Sequence, residues 1–276
     1  MAMQRILSAV WSLALVMGVT AGCTQQRVQA EKALAKTFIT DEQEEEIGKQ
    51  VKQELEQKEK VKYVQDPAVV EYVRNLSAPI IRQATKDRPG VKWKINVIDD
   101  PKQVNAFATP GGYLYVYTGL ILASDTEAEL AGVMAHEAGH VVGRHSARAM
   151  VNQMGLQTVT QVALGQNPGA AAQVAAQLVG GGAMLAHSRS EESEADEYGA
   201  RYSSGAGYDP RGLITFFEKL QAMQGQSPGI MKWLSTHPTN QDRIADLQRY
   251  ISQKNLRGTN NSPGQLPAIK QKLGGR

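Results

Sequence analysis

Cysteine is almost absent from this chain of 276 residues, which has a single one at position 23. One cysteine excludes an internal disulfide framework and a cysteine-rich zinc finger. The charge imbalance is also small: the formal net charge is +3 and no basic stripe is interleaved with aromatics, so we expect no nucleic-acid partner. Aromatic residues make up only 6%, yet 42% of residues are hydrophobic, which is typical of a globular chain with one large core.

The segment before Cys23 has the pattern of an export signal. Arg5 is its only charge, an apolar run follows, and small residues stand directly before the cysteine. This arrangement resembles the lipobox of bacterial lipoproteins, although Thr20 stands where an aliphatic residue is usual. The resemblance implies a signal peptide over 1–22, a lipid on Cys23, a polar tether over 23–38 and a place on the periplasmic side of the outer membrane. An ordinary signal peptide before a free cysteine is the alternative.

Hydrophobic periodicity and capping patterns predict one mostly helical domain over 39–255. Period-two alternation over 91–97 predicts a strand, and two short strands flank a Pro-Gly-Gly turn at 110–112. A Ser-x-x-Glu capping pattern at Ser124 predicts a helix that runs to about Met150. Further helices are expected from Thr40, from Asp66-Pro67, from Ser190, and over 210–224 and 240–253.

Two segments have an unusual composition. From Ala149 to Ser188 there is no Asp, Glu, Lys or Arg, and the stretch is rich in Ala, Gln and Gly. We expect a pair of helices packed through small residues there; a membrane-contacting segment is the alternative. The tail over 256–276 is rich in Gly, Asn, Pro and Lys and is expected to be disordered.

The chemistry is concentrated in His136-Glu137-Ala138-Gly139-His140, inside the helix predicted from Ser124. Spacing i, i+4 puts both imidazoles on one helix face, one turn apart, where they can hold one tetrahedral zinc ion. Glu137 lies beside the first ligand and can accept a proton from water that the metal activates. Apolar neighbours would bury this helix and hold the site in place. A pair of core or capping histidines is the alternative.

Two histidines leave zinc short of one protein ligand, and spacing alone does not identify it. Glu192 and Asp196 are one turn apart, so one could bind metal while the other orients a histidine ligand. His145 is five residues past His140 and would point about 140° away on a continuous helix, so we assign it a structural role. A solvated helix N-terminus is the alternative for the acidic residues. The full set of candidates is His145, His187, His237, Glu191, Glu192, Glu194, Asp196 and Glu197.

Four blocks in this order are recognisable between roughly residues 65 and 250. They are Asn105-Ala106-Phe107-Ala108 with Pro110-Gly111-Gly112 and Thr118-Gly119-Leu120; the HExxH motif; Ser188-Arg189 with Glu192, Asp196 and Gly199; and His237-Pro238 with Arg243-Ile244. The combination resembles the zinc endopeptidase family of the CAAX prenyl proteases, the heat-shock membrane protease HtpX and the mitochondrial Oma-type proteases, peptidase family M48.

The resemblance assigns the remaining site residues. It implies that Glu192 is the third zinc ligand and that Asp196 and Arg243 steady the site from outside. His237 is implied either as a donor to the transition-state oxyanion or as an extra zinc ligand that closes the open position. His187 stands where relatives often have Tyr, and it is given a supporting or packing role.

A substrate-binding edge is also implied. The hairpin around Gly112 to Thr118 resembles the edge strand against which family members bind an extended peptide. Main-chain hydrogen bonds to such an edge hold substrates of varied sequence, and Gly111 and Gly112 would leave the approach unobstructed. A plain hairpin turn is the alternative for the two glycines. The implied contact residues are Asn105, Ala106, Gly111, Gly112, Tyr113 and Tyr115.

The prediction is therefore an α+β, mainly helical, zincin-like (gluzincin) fold with a small sheet beside the motif helix. The expected activity is a zinc-dependent endopeptidase with one Zn²⁺ per chain, acting on unfolded or misassembled envelope proteins near the envelope assembly machinery. The alternative is a chaperone-like binding factor whose zinc site is closed by His237 and turns over slowly. A structural lipoprotein with a vestigial site is a third hypothesis. The sequence has no repeat of about 34 residues of the tetratricopeptide kind.

Overall fold

The computed structural model describes residues 39–180, 187–223, 233–234, 237 and 241–274. The predicted signal peptide, the predicted lipid attachment at Cys23 and the predicted tether lie outside the described residues. The chain divides into two units, Met1–Thr40 and Asp41–Arg276. In the first unit, the two described residues belong to no helix or strand. The helices and strands of the described residues all lie in the second unit.

The second unit is mainly helical, as predicted. Its helix beginning at Asp66-Pro67 is confirmed, because the Asp66 carboxylate accepts a hydrogen bond from the Ala68 N–H at 2.9 Å and Pro67 occupies the first turn. The described helices are α1 (Asp41–Gln57), α2 (Pro67–Asp87), α3 (Thr118–Ala123), α4 (Glu127–Val142), α5 (His145–Met154), α6 (Leu156–Ala163), α7 (Pro168–Gly180), α8 (Arg189–Gly205), α9 (Gly212–Ala222), α10 (Gln241–Gln253) and α11 (Leu266–Gly274). The strands are β1 (Lys94–Ile98), β2 (Ala106–Thr109) and β3 (Tyr113–Tyr117).

The sheet has the order β1-β3-β2, with β3 parallel to β1 and antiparallel to β2. The hairpin between β2 and β3 is confirmed, and its turn places Gly111 and Gly112 at φ of 77° and 84°, a region that glycine adopts without steric cost. The expectation that the segment from Gly112 to Thr118 forms an edge is wrong. β3 is paired on both sides, so the edges of this sheet are β1 and β2.

Helix α4, which contains the HExxH motif, is surrounded by protein. Every residue from Ala128 to Val141 is buried, and the helix packs against α2, α8, α9 and β2. Such burial on all sides agrees with its largely apolar sequence. The crossing with α8 is close because Gly139 has no side chain: an added Cβ would lie 2.9 Å from the Ala195 carbonyl oxygen.

The N-terminus of α4 differs from the predicted one. The cap is Thr126, not Ser124: the Thr126 hydroxyl accepts a hydrogen bond from the Glu129 N–H at 3.2 Å. The Glu129 carboxylate accepts one from the Asp125 N–H at 2.7 Å. Ser124 instead donates its hydroxyl to the Leu120 carbonyl at the end of α3. Two overlapping Ser/Thr-x-x-Glu patterns exist here, and the second one caps the helix.

The predicted continuation of α4 to Met150 is also wrong. The helix ends at Val142, and α5 begins at His145 after a short break. Arg144 lies in that break with φ 58° and ψ 28°, a left-handed conformation that a continuous α-helix excludes. Its Nε lies 2.6 Å from Oε1 of the buried Glu44, so an ion pair with α1 holds the break in place.

The charge-free stretch contains helices α6 and α7, in agreement with the predicted helix pair. Both helices pack against α1, and their small and β-branched side chains, including Val159, Ala171 and Val174, are buried. Residues 181–186 of the stretch lie outside the described ranges. Within those ranges, no helix combines the length and apolar character that crossing a membrane requires.

The C-terminal tail contains helix α11, so the prediction of disorder over 256–276 is wrong for the described residues. Leu266, Ile269 and Leu273 are buried, and the helix packs against α2 and α3. The composition was misleading because three apolar residues at spacings of three and four are enough to form one buried helix face.

Candidate metal centre

Two helices and one residue from a later segment of the chain bring four buried donors together. His136 and His140 belong to α4, Glu192 belongs to α8, and His237 precedes α10. Their ligand atoms lie within 4.8 Å of one another, and each residue is at most 2% exposed. The i, i+4 spacing pairs the histidines, and a capping box at Ser188 begins α8 one turn before the glutamate.

The spacing of the donor atoms fits a tetrahedral ion. Ligands about 2.0–2.1 Å from a tetrahedral zinc are separated from one another by roughly 3.3 Å. His136 Nε2 lies 2.9 Å from His140 Nε2 and 3.3 Å from His237 Nδ1. Glu192 Oε1 lies 3.4 Å from His140 Nε2 and 3.1 Å from His237 Nδ1. Three imidazoles and one carboxylate at these distances fit the metal that the motif predicts.

Asp196 and Arg243 surround the donors with charged contacts. Asp196 Oδ1 lies 2.9 Å from His136 Nδ1, the ring nitrogen that faces away from the other donors. Arg243 donates to both carboxylate oxygens of Asp196, at 2.5 and 2.8 Å, and its Nη1 lies 2.6 Å from Glu192 Oε2. Burial alone would raise the pKa of Glu192, but the charges of His237 and Arg243 hold it well below its usual range. Glu192 is therefore a carboxylate that can bind a cation.

Glu137 lies beside the four donors. It is buried, and its Oε1 is 3.4 Å from His237 Nε2. Among the described residues this oxygen has no hydrogen-bond partner. Burial raises the pKa of the Glu137 carboxyl, against the opposing charges of His237 and His136. A carboxyl with a raised pKa next to a metal site is suited to accept and return a proton.

His145 and His187 lie on the outer side of His140. The His187 ring stacks on the His140 ring, with the centroids 3.9 Å apart. His145 Nδ1 lies 2.8 Å from His140 Nδ1, so the prediction that His145 points away is wrong. That prediction assumed a continuous helix, and the break at Arg144 invalidates it. Burial lowers the pKa of all three histidines, most strongly for His140 and His187, which favours neutral imidazoles.

The predicted substrate residues of the hairpin lie on two different strands. Ala106 begins β2, Asn105 directly precedes it, and β2 is an edge strand that packs against α4. Tyr113 and Tyr115 lie on the central strand β3 and are only 6% and 0% exposed. The two tyrosines therefore lie on a strand that is paired on both sides and offers no edge to a peptide.

The two turn glycines face the protein itself. An added Cβ at Gly111 would lie 2.4 Å from Glu45 Cα on α1, and one at Gly112 would lie 2.4 Å from Val91 Cγ1. These contacts leave no space for a substrate over the turn. The expectation that the glycines keep a substrate path open is therefore wrong. The alternative, that they only form the hairpin turn, agrees with these contacts.

A cavity of about 240 Å³ opens between α8 and α10. Its lining includes Glu192 and Arg243, so it borders the donor cluster, and His187 and Tyr250 also contribute. The cavity places open volume next to the predicted third ligand.

A buried charge cluster at the C-terminal end of α4 was not predicted. Arg88 donates to the Val141 carbonyl at 2.7 Å and its Nη2 lies 2.9 Å from Glu44 Oε2, while the same glutamate binds Arg144. A signal for it exists in the sequence: Glu44 lies three residues before Ile47, on the apolar stripe of α1. An acidic residue on an otherwise apolar stripe indicates a buried partner of opposite charge.

Known proteins are similar to this chain over most of its described length. The mitochondrial metalloendopeptidase OMA1 of Schizosaccharomyces pombe is 32% identical over 186 residues, which are 67% of this chain and 54% of that protein. The putative beta-barrel assembly-enhancing protease of Vibrio cholerae is 33% identical over 199 residues, 69% of this chain and 40% of that protein. The beta-barrel assembly-enhancing protease of Escherichia coli K12 is 32% identical over the same shares. The chain thus spans about half the length of these relatives or less.

The family comparison covers the whole candidate site. The model of Peptidase family M48 matches residues 67–251, which include the helix α4, the helix α8 and all four donors. The resemblance seen in the four sequence blocks is therefore confirmed at the level of the family. Because the match extends over more than half of the sequence, this chain belongs to peptidase family M48, a family of metallopeptidases.

Proposed function

We propose that this chain is a zinc-dependent endopeptidase that cleaves unfolded or misassembled proteins of the bacterial cell envelope. The observation that carries the proposal is the convergence of His136, His140, Glu192 and His237 on one point beside Glu137. Membership of the family and the similarity to named metalloendopeptidases support the activity. Three imidazoles and a carboxylate at tetrahedral spacing are ligands that Zn²⁺ takes, so the assigned metal is one zinc per chain.

The chemical roles follow from these positions. When bound, zinc polarises the scissile carbonyl and makes water a better nucleophile at neutral pH. Glu137 accepts the proton of the attacking water and then delivers it to the leaving amine. Asp196 orients the His136 ring through Nδ1, and Arg243 fixes Asp196 and Glu192 together, so the donors keep their geometry.

His237 is assigned to the fourth ligand position in the arrangement seen here. Its Nδ1 is 3.3 Å from His136 Nε2 and 3.1 Å from Glu192 Oε1, while its Nε2 faces Glu137 Oε1 at 3.4 Å. With zinc bound, the ring would take the ligand position that water needs, and it also contacts the proposed base. Cleavage then requires the His237 ring to leave this position.

An extended peptide is proposed to bind at the outer edge of β2. The Tyr117 N–H donates to the Asn105 carbonyl, and hydrogen-bonded pairs alternate along an antiparallel ladder, so Ala106 and Ala108 direct their backbone groups to the outer edge. The Ala108 carbonyl at that edge already accepts a hydrogen bond from Ser146 at 3.0 Å and the strand is buried, so a bound peptide has to replace this contact. Main-chain pairing at β2 replaces the contacts first expected from the β3 tyrosines and supports binding of varied sequences.

The location and the partners are proposed from the N-terminal pattern and from the names of relatives. Lipid on Cys23, followed by the tether over 23–38, would hold the domain at the periplasmic side of the outer membrane. Relatives named for beta-barrel assembly support a place near the envelope assembly machinery. Incorporation of a labelled fatty acid that is lost in Cys23→Ser tests the anchor.

Zinc content and cleavage of an unfolded protein test the activity. The purified full chain is expected to bind one zinc and to cleave unfolded casein in a chelator-sensitive reaction. Glu137→Gln is expected to keep the zinc and to lose activity by about 10²- to 10⁴-fold, the usual contribution of a general base. Glu218→Gln, at an exposed position of α9, is the matched control and should retain full activity. Zinc binding without cleavage by either the wild type or His237→Ala would contradict the endopeptidase proposal.

A second candidate is a chaperone-like binding factor, which the contact between His237 and Glu137 favours. A histidine that closes the metal site and contacts its base would keep turnover low while the protein binds unfolded chains. Wild type and His237→Ala that both bind unfolded protein without cleaving it would support this candidate. Cleavage by either protein would support the endopeptidase.

A further inference from the structure

His145 contacts the metal-binding histidine His140 on the side away from the metal site. The two Nδ1 atoms are 2.8 Å apart, and His145 is completely buried. The other nitrogen of His140, Nε2, faces His136 Nε2 at 2.9 Å within the donor cluster. His140 therefore has one nitrogen directed to the metal position and the other directed to His145.

The backbone is shaped to make this contact. On a continuous helix His145 would lie about 140° around the axis from His140, but the left-handed Arg144 redirects the chain. Gly143 provides the space, because an added Cβ there would lie 2.3 Å from His145 Nε2. The buried Glu44 fixes the break through its ion pair with Arg144. The left-handed Arg144, the space at Gly143 and the Glu44 ion pair thus together place the His145 ring in contact with His140.

A neutral histidine has one N–H donor and one acceptor nitrogen, and this decides which of the two rings donates the hydrogen bond. A histidine that binds a cation through Nε2 carries its proton on Nδ1, which then donates a hydrogen bond. His145 Nδ1 is the acceptor, so the proton of neutral His145 is on Nε2. That Nε2 lies 3.4 Å from Glu194 Oε2 on α8. A carboxylate at the end of the chain makes His140 a stronger ligand through the intervening imidazole.

We propose that His145 and Glu194 are positioning residues for the metal ligand His140. They form a chain from the His140 Nδ1–H to His145 Nδ1, and from the His145 Nε2–H to the Glu194 carboxylate. His136 has the direct counterpart, since Asp196 Oδ1 lies 2.9 Å from its Nδ1. Each of the two histidines of the HExxH motif thus has a carboxylate on the side away from the metal site, His136 directly and His140 through a second imidazole. The inference rests on the proposed metal site and adds two residues to it.

One competing use of the same atoms exists. His140, His145 and His187 offer nitrogens within 4.8 Å of one another, a group that could hold a second cation. His140 Nδ1 cannot donate a proton to His145 and bind a second cation at once. Metal stoichiometry therefore distinguishes the two arrangements.

Zinc affinity, measured by chelator competition on the full chain, tests the proposal. His145→Leu, which removes the acceptor, is expected to weaken zinc binding by about 10- to 100-fold. His145→Asn keeps an oxygen near the position of Nδ1 and should restore most of that loss. Glu194→Gln should weaken binding by a smaller factor. The matched control is Glu197→Gln, at an exposed position of the same helix, which should bind zinc like the wild type.

Two further readouts separate positioning from folding. Circular dichroism of each metal-free variant reports whether the fold is kept, and Glu194→Gln, at a partly exposed residue, carries the test if His145→Leu does not fold. The visible spectrum of the cobalt-substituted protein should shift in His145→Leu and return towards the wild type in His145→Asn. A purely structural histidine would not produce that return.

Distinct results would overturn the inference and the proposed function. Folded His145→Leu and Glu194→Gln with wild-type zinc affinity would overturn the inference alone. Two zinc ions in the wild type and one in His145→Leu would overturn it in favour of the second cation. A wild-type chain that binds no zinc would overturn the proposed function, and the inference with it.

Discussion

We propose that the His237 side chain controls whether the metal site is closed or open. His237→Ala leaves three protein ligands, which is the arrangement of catalytic zinc sites, and frees the base Glu137 from its contact. We therefore expect cleavage of unfolded casein to become several-fold faster at equal zinc content. His187→Ala is the control, because that ring stacks on His140 without joining the four-donor cluster, and it should bring no acceleration. A slower His237→Ala would contradict the closed site and assign the ring to the oxyanion.

At the same scale, local geometry decides what the sequence alone could predict. His136 and His140 share a helix, so their spacing was enough to bring them together. Glu192 lies on a different helix. Spacing alone did not decide which of several neighbouring acidic residues is the third ligand, and only the resemblance to the family selected Glu192. His145 was misplaced because a single left-handed residue, Arg144, changes the direction of the chain. An arginine in a sequence gives no indication that its φ is positive.

Among the elements, helix α11 is expected to contribute to the stability of the fold. Ile269 is 4% exposed on its buried face, so Ile269→Ala should lower the free energy of unfolding by about 2–5 kcal/mol. Gln271→Ala, on the exposed face of the same helix, should change it by less than about 0.5 kcal/mol. Urea denaturation of the two variants and the wild type measures the difference. Equal midpoints would mean that the tail is not packed in solution.

Whether a segment forms a helix or a strand was predicted better than the residues at which it begins and ends. The alternation before the Pro-Gly-Gly turn correctly indicated strands, because side-chain direction along a strand is a local property. The order β1-β3-β2 depends on pairing between distant segments, which no local pattern contains. The start of α4 was assigned to Ser124 because Ser124 and Thr126 both precede a glutamate by three residues. Only the tertiary contacts of the preceding helix decide between them.

Across the whole molecule, the metal-free protein is expected to lose stability as the pH falls below 6.5, the usual pKa of histidine. Burial lowers the pKa values of His140, His145 and His187, so below that pH the unfolded chain binds protons that the folded chain does not. His237 and Glu137 act in the opposite direction: Glu192 and Glu137 outweigh the burial of His237 and raise its pKa, and burial raises the pKa of Glu137. Three groups against two favour acid destabilisation.

Urea midpoints of the chelator-treated protein at about pH 7.5 and 5.5 measure this effect. The midpoint should be lower at the more acidic pH. His187→Phe, which removes one of the three buried imidazoles, should reduce the difference. A midpoint that is unchanged or higher at about pH 5.5 would contradict the assignment of neutral buried histidines.

The architecture of the molecule explains why its chemistry was easier to predict than its substrate path. Three of the four proposed metal donors lie on α4 and α8, which cross closely at Gly139. The spacing of residues along a helix can be read from the sequence. The proposed peptide edge depends on which strands are paired on one side only, and these are β1 and β2 rather than the expected β3. The glycines expected to face a substrate instead face α1 and the residues before β1.

The central claim is that four buried side chains converge on one zinc ion. Anomalous diffraction at the zinc edge, from crystals of the purified full chain, tests it most directly. We expect a single peak about 2.0–2.2 Å from the Nε2 atoms of His136 and His140, from a carboxylate oxygen of Glu192 and from Nδ1 of His237. No peak at this position, or a peak among His140, His145 and His187 instead, would contradict it.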